Sequence, residues 1–259
     1  MRFIFYSIFT LFLFHNICFS QVYFPKNIDE KSLVSKLFEA NWIQEDSTFR
    51  WIPNLGESIE FSNNLRKDTL RTKIDTLFNY YESGIKKKMI LLSTNTYGDI
   101  CHSCQPTMGI IDLSFDDLKD SLKLESFSKN IGHFGSWGKS PNEKSLQKIK
   151  KDKYCLKITE YDSYFGIETG VTSLIIGTEK VYSFVSYISN HDAVEFDREK
   201  YSFKSTIQYD AKTDTLRIIK RGKEPNSKGI IIKVHNFTTF GYDERGFFEK
   251  ISSVNMLKK

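Results

Sequence analysis

Cys101-His102-Ser103-Cys104 is the one compact grouping in this sequence whose residue types and spacing could do chemistry. Two thiols at this spacing can close a local disulfide, cycle between dithiol and disulfide, or supply half of a zinc site. A redox pair wants its first Cys at a helix N-terminus. Here Gln105-Pro106-Thr107-Met108-Gly109 leads straight into the strand-like run Ile110 to Phe115, so no such helix is expected. Covalent haem needs His directly after the second Cys, and Gln105 stands there. Zinc would draw on Cys101, Cys104 and His133 with His102 or Cys155, and no second C-x-x-C or H-x-x-x-H completes the set. The expectation is a Cys101–Cys104 disulfide that staples a loop, with no metal and no cofactor. A redox pair, a zinc site and a bridge to Cys155 are the alternatives. Cys155 lies in Tyr154 to Thr159, where Tyr154, Leu156 and Ile158 share one face and Cys155 the other, and a half-buried free thiol is expected.

The second segment of interest runs from Ile131 to Pro141. Gly132, Gly135 and Gly138 allow tight backbone turns; the first expectation is a packed corner that covers a sheet end with its aromatics buried, and the alternative is that the turns present His133, Phe134 and Trp137, which with His102 form the candidate binding corner. Gly138-Lys139-Ser140 lacks the Gly five positions earlier that a phosphate loop needs, because His133 stands there. Asn190, His191, Asp192, Glu195 and Asp197 are oxygen-rich without the ligand spacing of a calcium loop. Lys86 to Lys88 and Lys148 to Lys153 read as solvated or gatekeeping charges beside strands. No G-x-S-x-G, H-E-x-x-H or G-x-G-x-x-G is present, and no catalytic residue is assigned.

The elements that must position these residues start after a leader. Met1-Arg2 is followed by an uncharged run from Phe3 to Phe14, whose twelve residues span about 18 Å as a helix. That is short of the roughly 30 Å hydrocarbon core, and small residues at Cys18 and Ser20 suit a cleavage site, so residues 1–20 read as a signal peptide. The expected mature chain, 21–259, is exported to the periplasm or beyond as one soluble domain without a membrane span. The full chain of 259 residues has a net charge of +5, too small an excess to imply a nucleic-acid partner. With 40% apolar side chains it can bury a core, which excludes disorder.

Residues 27–42 carry Leu33, Leu37, Phe38 and Trp42 at helical spacing after the capping candidates Asn27 and Asp29, and predict a first helix. Residues 65–82 carry Leu65, Leu70, Ile74, Leu77, Phe78 and Tyr81, and predict a second that ends at Gly84. Beyond Gly84, ten short runs rich in β-branched and aromatic residues predict strands, with hairpin-length connections at 177–180 and 211–214. The fold class expected is α+β: two N-terminal helices packed on a large, mainly antiparallel β-sheet meander.

Leu77-Phe78, Tyr80-Tyr81, Gly84, the C-H-x-C motif with Pro106, and Phe134-Gly135-Ser136-Trp137-Gly138 with Pro141 resemble a family of uncharacterised exported bacterial proteins. The resemblance covers roughly residues 77–190. It implies that Cys101, His102, Cys104 and the 135–138 corner belong to one shared feature, and it brings no activity. The function expected is therefore a non-enzymatic binding or structural protein with unknown partners. The alternative is a thiol-disulfide or metal-binding protein built on Cys101, His102, Cys104 and His133.

Overall fold

The computed structural model describes residues 21–54, 69–96, 105–136, 139–164, 167–178, 181–193, 200–244 and 246–256. Residues 1–20, read above as a signal peptide, and Cys101, His102, Cys104 and Trp137 lie outside the described residues. Strands make up 72% of what is described and helix 5%, in two antiparallel sheets with one helix, so the expected α+β arrangement does not hold.

The first sheet has seven strands in the order β1(Tyr23–Pro25), β7(Ser121–His133), β6(Thr107–Asp116), β5(Ile85–Thr96), β4(Leu70–Glu82), β3(Thr48–Trp51) and β2(Asn41–Ile43). Strands β2 to β7 follow in chain order, while β1 starts the described chain at the opposite edge. The connection between the edges is helix α1, Glu30–Phe38, shorter than the 27–42 expected. Asp29 caps it by accepting from the Ser32 backbone N–H at 2.9 Å, and Glu39 ends it in the left-handed conformation. Trp42 falls in β2 instead of on the helix.

The predicted second helix is strand β4, for a reason that lies in its parity. Ile74 pairs with Leu92 and Thr76 with Leu91, so a bulge at Asp75 inserts one extra residue. Before the bulge, Leu70 and Ile74 face α1; after it, Phe78 and Tyr80 face the opposite side. Leu70, Ile74 and Phe78 lie four apart, a spacing that imitates a helical stripe although the bulge puts Phe78 on the opposite face from the other two. Ser83 and Gly84, both with positive φ (51° and 79°), form the two-residue turn into β5 instead of a helix end.

Both faces of the first sheet are covered. Ile90, Leu92, Ile111 and Leu113 pack with Leu33, Val34 and Phe38 of α1. Leu91, Met108, Ile110, Ile131 and Phe134 pack against Leu156, Ile158 and Ile175 of the second sheet. Burial on both faces is why residues 89–94 read as a continuous apolar run.

The second sheet is an eight-stranded meander: β8(Glu143–Lys150), β9(Lys153–Tyr164), β10(Ile167–Thr178), β11(Val181–Ala193), β12(Tyr201–Asp210), β13(Thr215–Pro225), β14(Ile231–Tyr242) and β15(Phe248–Asn255). It curls so that its far end returns over β8, where the Tyr242 hydroxyl donates to the Ile149 carbonyl at 2.5 Å. Ile149, Cys155, Leu174, Ile176, Leu216 and Phe247 fill the curl. The face shared by Leu156 and Ile158 thus meets the first sheet, and Cys155 points the other way as a free, fully buried thiol, not a half-buried one. Burial pushes that thiol's pKa up to about 12, so it is not a ready nucleophile.

Candidate functional site: a polar cleft between the sheets

At one end of the inter-sheet core the apolar layer gives way to charged and phenolic side chains around a cleft of about 240 Å³. Each comes from strand parity. On the face that carries Met89 and Ile110 towards the second sheet, the next alternate positions are Lys87 and Asp112. Tyr80 stands opposite Lys87, and Ser126 opposite Asp112. Lys153, Tyr154 and Tyr182 close the cleft from the second sheet.

Tyr80 donates its hydroxyl to Asp112 Oδ1 at 3.0 Å, and Tyr182 donates to Ser126 Oγ at 2.7 Å. Lys87 Nζ pairs with Glu82 Oε2 at 2.5 Å, and Glu82 Oε1 accepts the Tyr154 backbone N–H at 3.2 Å, which ties β4 to β9. Ser114 Oγ donates to Glu125 Oε1 at 2.5 Å, and Lys123 sits 3.2 Å from Glu125 Oε2. Lys153 is half-buried and has no ion pair with a described carboxylate.

Burial raises the Asp112 carboxyl to about 6, against the pull of Lys87 and of the Tyr80 hydrogen bond. Burial also lowers Lys153, with Glu82 opposing and Lys150 and Lys87 adding to the fall. Lys87 is also subject to burial, but the Glu82 hydrogen bond and the surrounding carboxylates outweigh it and hold the ammonium charged. Tyr80 and Tyr182 are both pushed upward by burial and stay protonated donors. The cleft thus offers one uncommitted cation, one carboxyl near its titration point and a set of fixed hydroxyls. That is equipment for holding a small polar molecule by several convergent hydrogen bonds.

Asp112 carries a pH signature. Between an unfolded value near 4 and about 6, the folded chain keeps a proton that the unfolded chain has lost. Stability therefore falls as pH rises through that window, by about 3 kcal/mol in all, and the loss is complete above it. Asp112→Asn keeps an acceptor for Tyr80 and removes the titration. Urea unfolding at pH 4.5 and pH 7.5 is expected to show about 2 kcal/mol of this step in the wild type and its absence from the Asn variant. A step of equal size in both would assign the pH dependence to other groups.

The expected corner is only partly described. His133, the last residue of β7, is exposed, and its Nδ1 lies 3.2 Å from Thr107 Oγ1. Phe134 is buried in the inter-sheet core, as a packed corner requires, and does not present a binding surface. Gly132 and Gly135 adopt φ of 134° and 99°, as tight turns require. His133 and Phe134 are thus placed by the structure, whereas Cys101, His102, Cys104 and Trp137 are outside it. Among the described residues no three His, Cys, Asp or Glu side chains gather as a metal site.

The cleft residues had a sequence signal that motif reading passes over: Asp112 is a lone carboxylate inside the apolar run Gly109 to Leu113. The first basic run departs from a solvated reading, since Lys87 and Lys88 are only 15% and 17% exposed and pair with Glu82 and Glu30, whereas Lys148, Lys150 and Lys151 are exposed. No family model, curated protein or solved structure matches this chain.

Proposed function

We propose that this chain is a non-enzymatic binding protein, exported after loss of residues 1–20, and that the cleft between its sheets receives a small polar ligand. The observation that carries this reading is the pairing of Asp112, held near its titration point, with the uncommitted Lys153 around one cleft. A protein that only needed to pack two sheets would close this end with apolar side chains, because each buried charge costs free energy of desolvation. A space of 240 Å³ matches about eight waters, so the ligand is of amino-acid size. Its acidic group meets Lys153, and a donor meets Asp112. Export rests on the leader's charge, length and small residues.

The test is a thermal-shift panel of free amino acids, small dicarboxylates and sugar acids. At a hundredfold excess over Kd a true ligand adds about 2.7 kcal/mol, which raises the unfolding midpoint by about 5 to 10 °C for a chain of this size. Asp112→Asn and Lys153→Met should each abolish that rise. A midpoint that no compound moves, or that moves equally in both variants, would refute the reading.

A further inference from the structure

The outward face of the second sheet presents cations that folding alone does not account for. Lys204 on β12 stands directly opposite Arg221 on β13, and Lys223 on β13 directly opposite Lys233 on β14. All four are exposed, and none makes an ion pair with a described carboxylate. Like charges directly opposite one another destabilise a sheet. Arg221 is also oriented, since its Nε–H donates to His235 Nε2 at 3.1 Å and the rest of its donor fork is left for a partner. Of the carboxylates that strand pairing sets on this face, Asp210 is bound to Arg217 at the far end, 3.1 Å away, and Asp192 stands across from Ser202. Among the described residues of this face, the end therefore sets Arg221, Lys223 and Lys233 against Asp192, an excess of cations.

The same end leads into the turn between β13 and β14. There Asn226 Oδ1 accepts the backbone N–H groups of Lys228 and Ile230 at 2.9 and 3.0 Å, and Asn226 and Ile230 pair through their backbones at 2.8 Å. This ordered tip holds Ile230 59% exposed, with Lys228 in the turn. A turn fixed by this many hydrogen bonds that still points an isoleucine into water is built for contact with something apolar.

We propose that this end of the second sheet docks on an anionic phospholipid surface. The cations take the headgroup charge, and Ile230 at the tip enters the boundary with the acyl chains. Nucleic acid is the other polyanion that such cations would suit. It is held through stacking aromatics beside the charge, whereas this tip offers an aliphatic side chain.

The experiment is co-sedimentation of the full chain with phosphatidylcholine vesicles, without and with about a third phosphatidylserine. Binding is expected only to the anionic vesicles and should weaken as salt rises. Each Lys or Arg near the surface contributes about fivefold, so Arg221→Gln, Lys223→Gln and Lys233→Gln together should weaken partitioning about a hundredfold. Relief of the opposed charges leaves that variant at least as stable as the wild type. Ile230→Ser should weaken it about tenfold without touching the salt dependence. The proposal is overturned if anionic vesicles bind neither better than neutral ones nor less well to the triple variant. It is equally overturned if a single-stranded oligonucleotide binds as tightly and Ile230→Ser has no effect.

Discussion

Replacing Lys144 by Ala is expected to lower the free energy of unfolding by about 3 to 5 kcal/mol. Lys144 on β8 meets Asp75, the residue at the β4 bulge, with Nζ 2.6 Å from Oδ2. Their side chains are only 9% and 12% exposed, so the pair joins the two sheets away from water. Ser140 completes it, donating to Asp75 and accepting from Lys144 at 3.2 Å. Removal of the ammonium leaves a buried carboxylate with two hydroxyl donors, Ser140 and Thr76, and no counter-charge, and that unpaired charge dominates the cost. Asp75→Ala with Lys144→Ala should therefore cost less than the two single changes added together. Urea midpoints for the three variants measure this, and strict additivity would mean that the two side chains act independently.

Gly135→Ala should cost at least about 3 kcal/mol, through the backbone instead of through charge. Gly135 has φ of 99°, and a Cβ there would stand 2.0 Å from the Lys139 carbonyl oxygen. That oxygen is fixed, because Ser136 and Lys139 exchange backbone hydrogen bonds at 3.1 and 2.8 Å. The Gly135 N–H is also held, donating to Glu160 Oε1 at 2.5 Å. Gly84→Ala is the internal control: φ is again positive, at 79°, but nothing lies within 4 Å of the new Cβ. Its cost should stay near 1 kcal/mol, the conformational penalty alone. Thermal unfolding of the two variants separates crowding from φ, and equal losses would show that crowding at Gly135 contributes nothing.

The strands after Gly84 were legible because turn chemistry and β-branched runs are local signals. Eight of the ten runs expected to be strands fall within observed strands, the other two begin one or two residues before β14 and β15, and the connections at 177–180 and 211–214 join antiparallel neighbours. Strand β4 was not legible, because the bulge at Asp75 changes which face each later residue takes, and a shift of parity leaves no mark in composition. Strand β8 was also missed. Its sequence, Glu143 to Lys150, is polar because it is an edge strand with Lys144 turned inward to Asp75. The candidate site follows the same division. Glycine spacing marks the turns at Gly132 and Gly135, but the cleft depends on which strands become neighbours. Tyr80, Asp112 and Tyr182 come from separate strands, so only the register brings them together.

The Asp112 carboxyl reports on the cleft directly. Its carbon resonance, followed by NMR from pH 3 to pH 9 in protein labelled at aspartate, should titrate with a midpoint near 6. The midpoint should move once the tightest-binding compound of the thermal panel saturates the cleft, because a donor placed on one protonation state favours that state. A midpoint near 4, the ordinary aspartate value, that stays fixed on addition of every compound would contradict a ligand site between the two sheets.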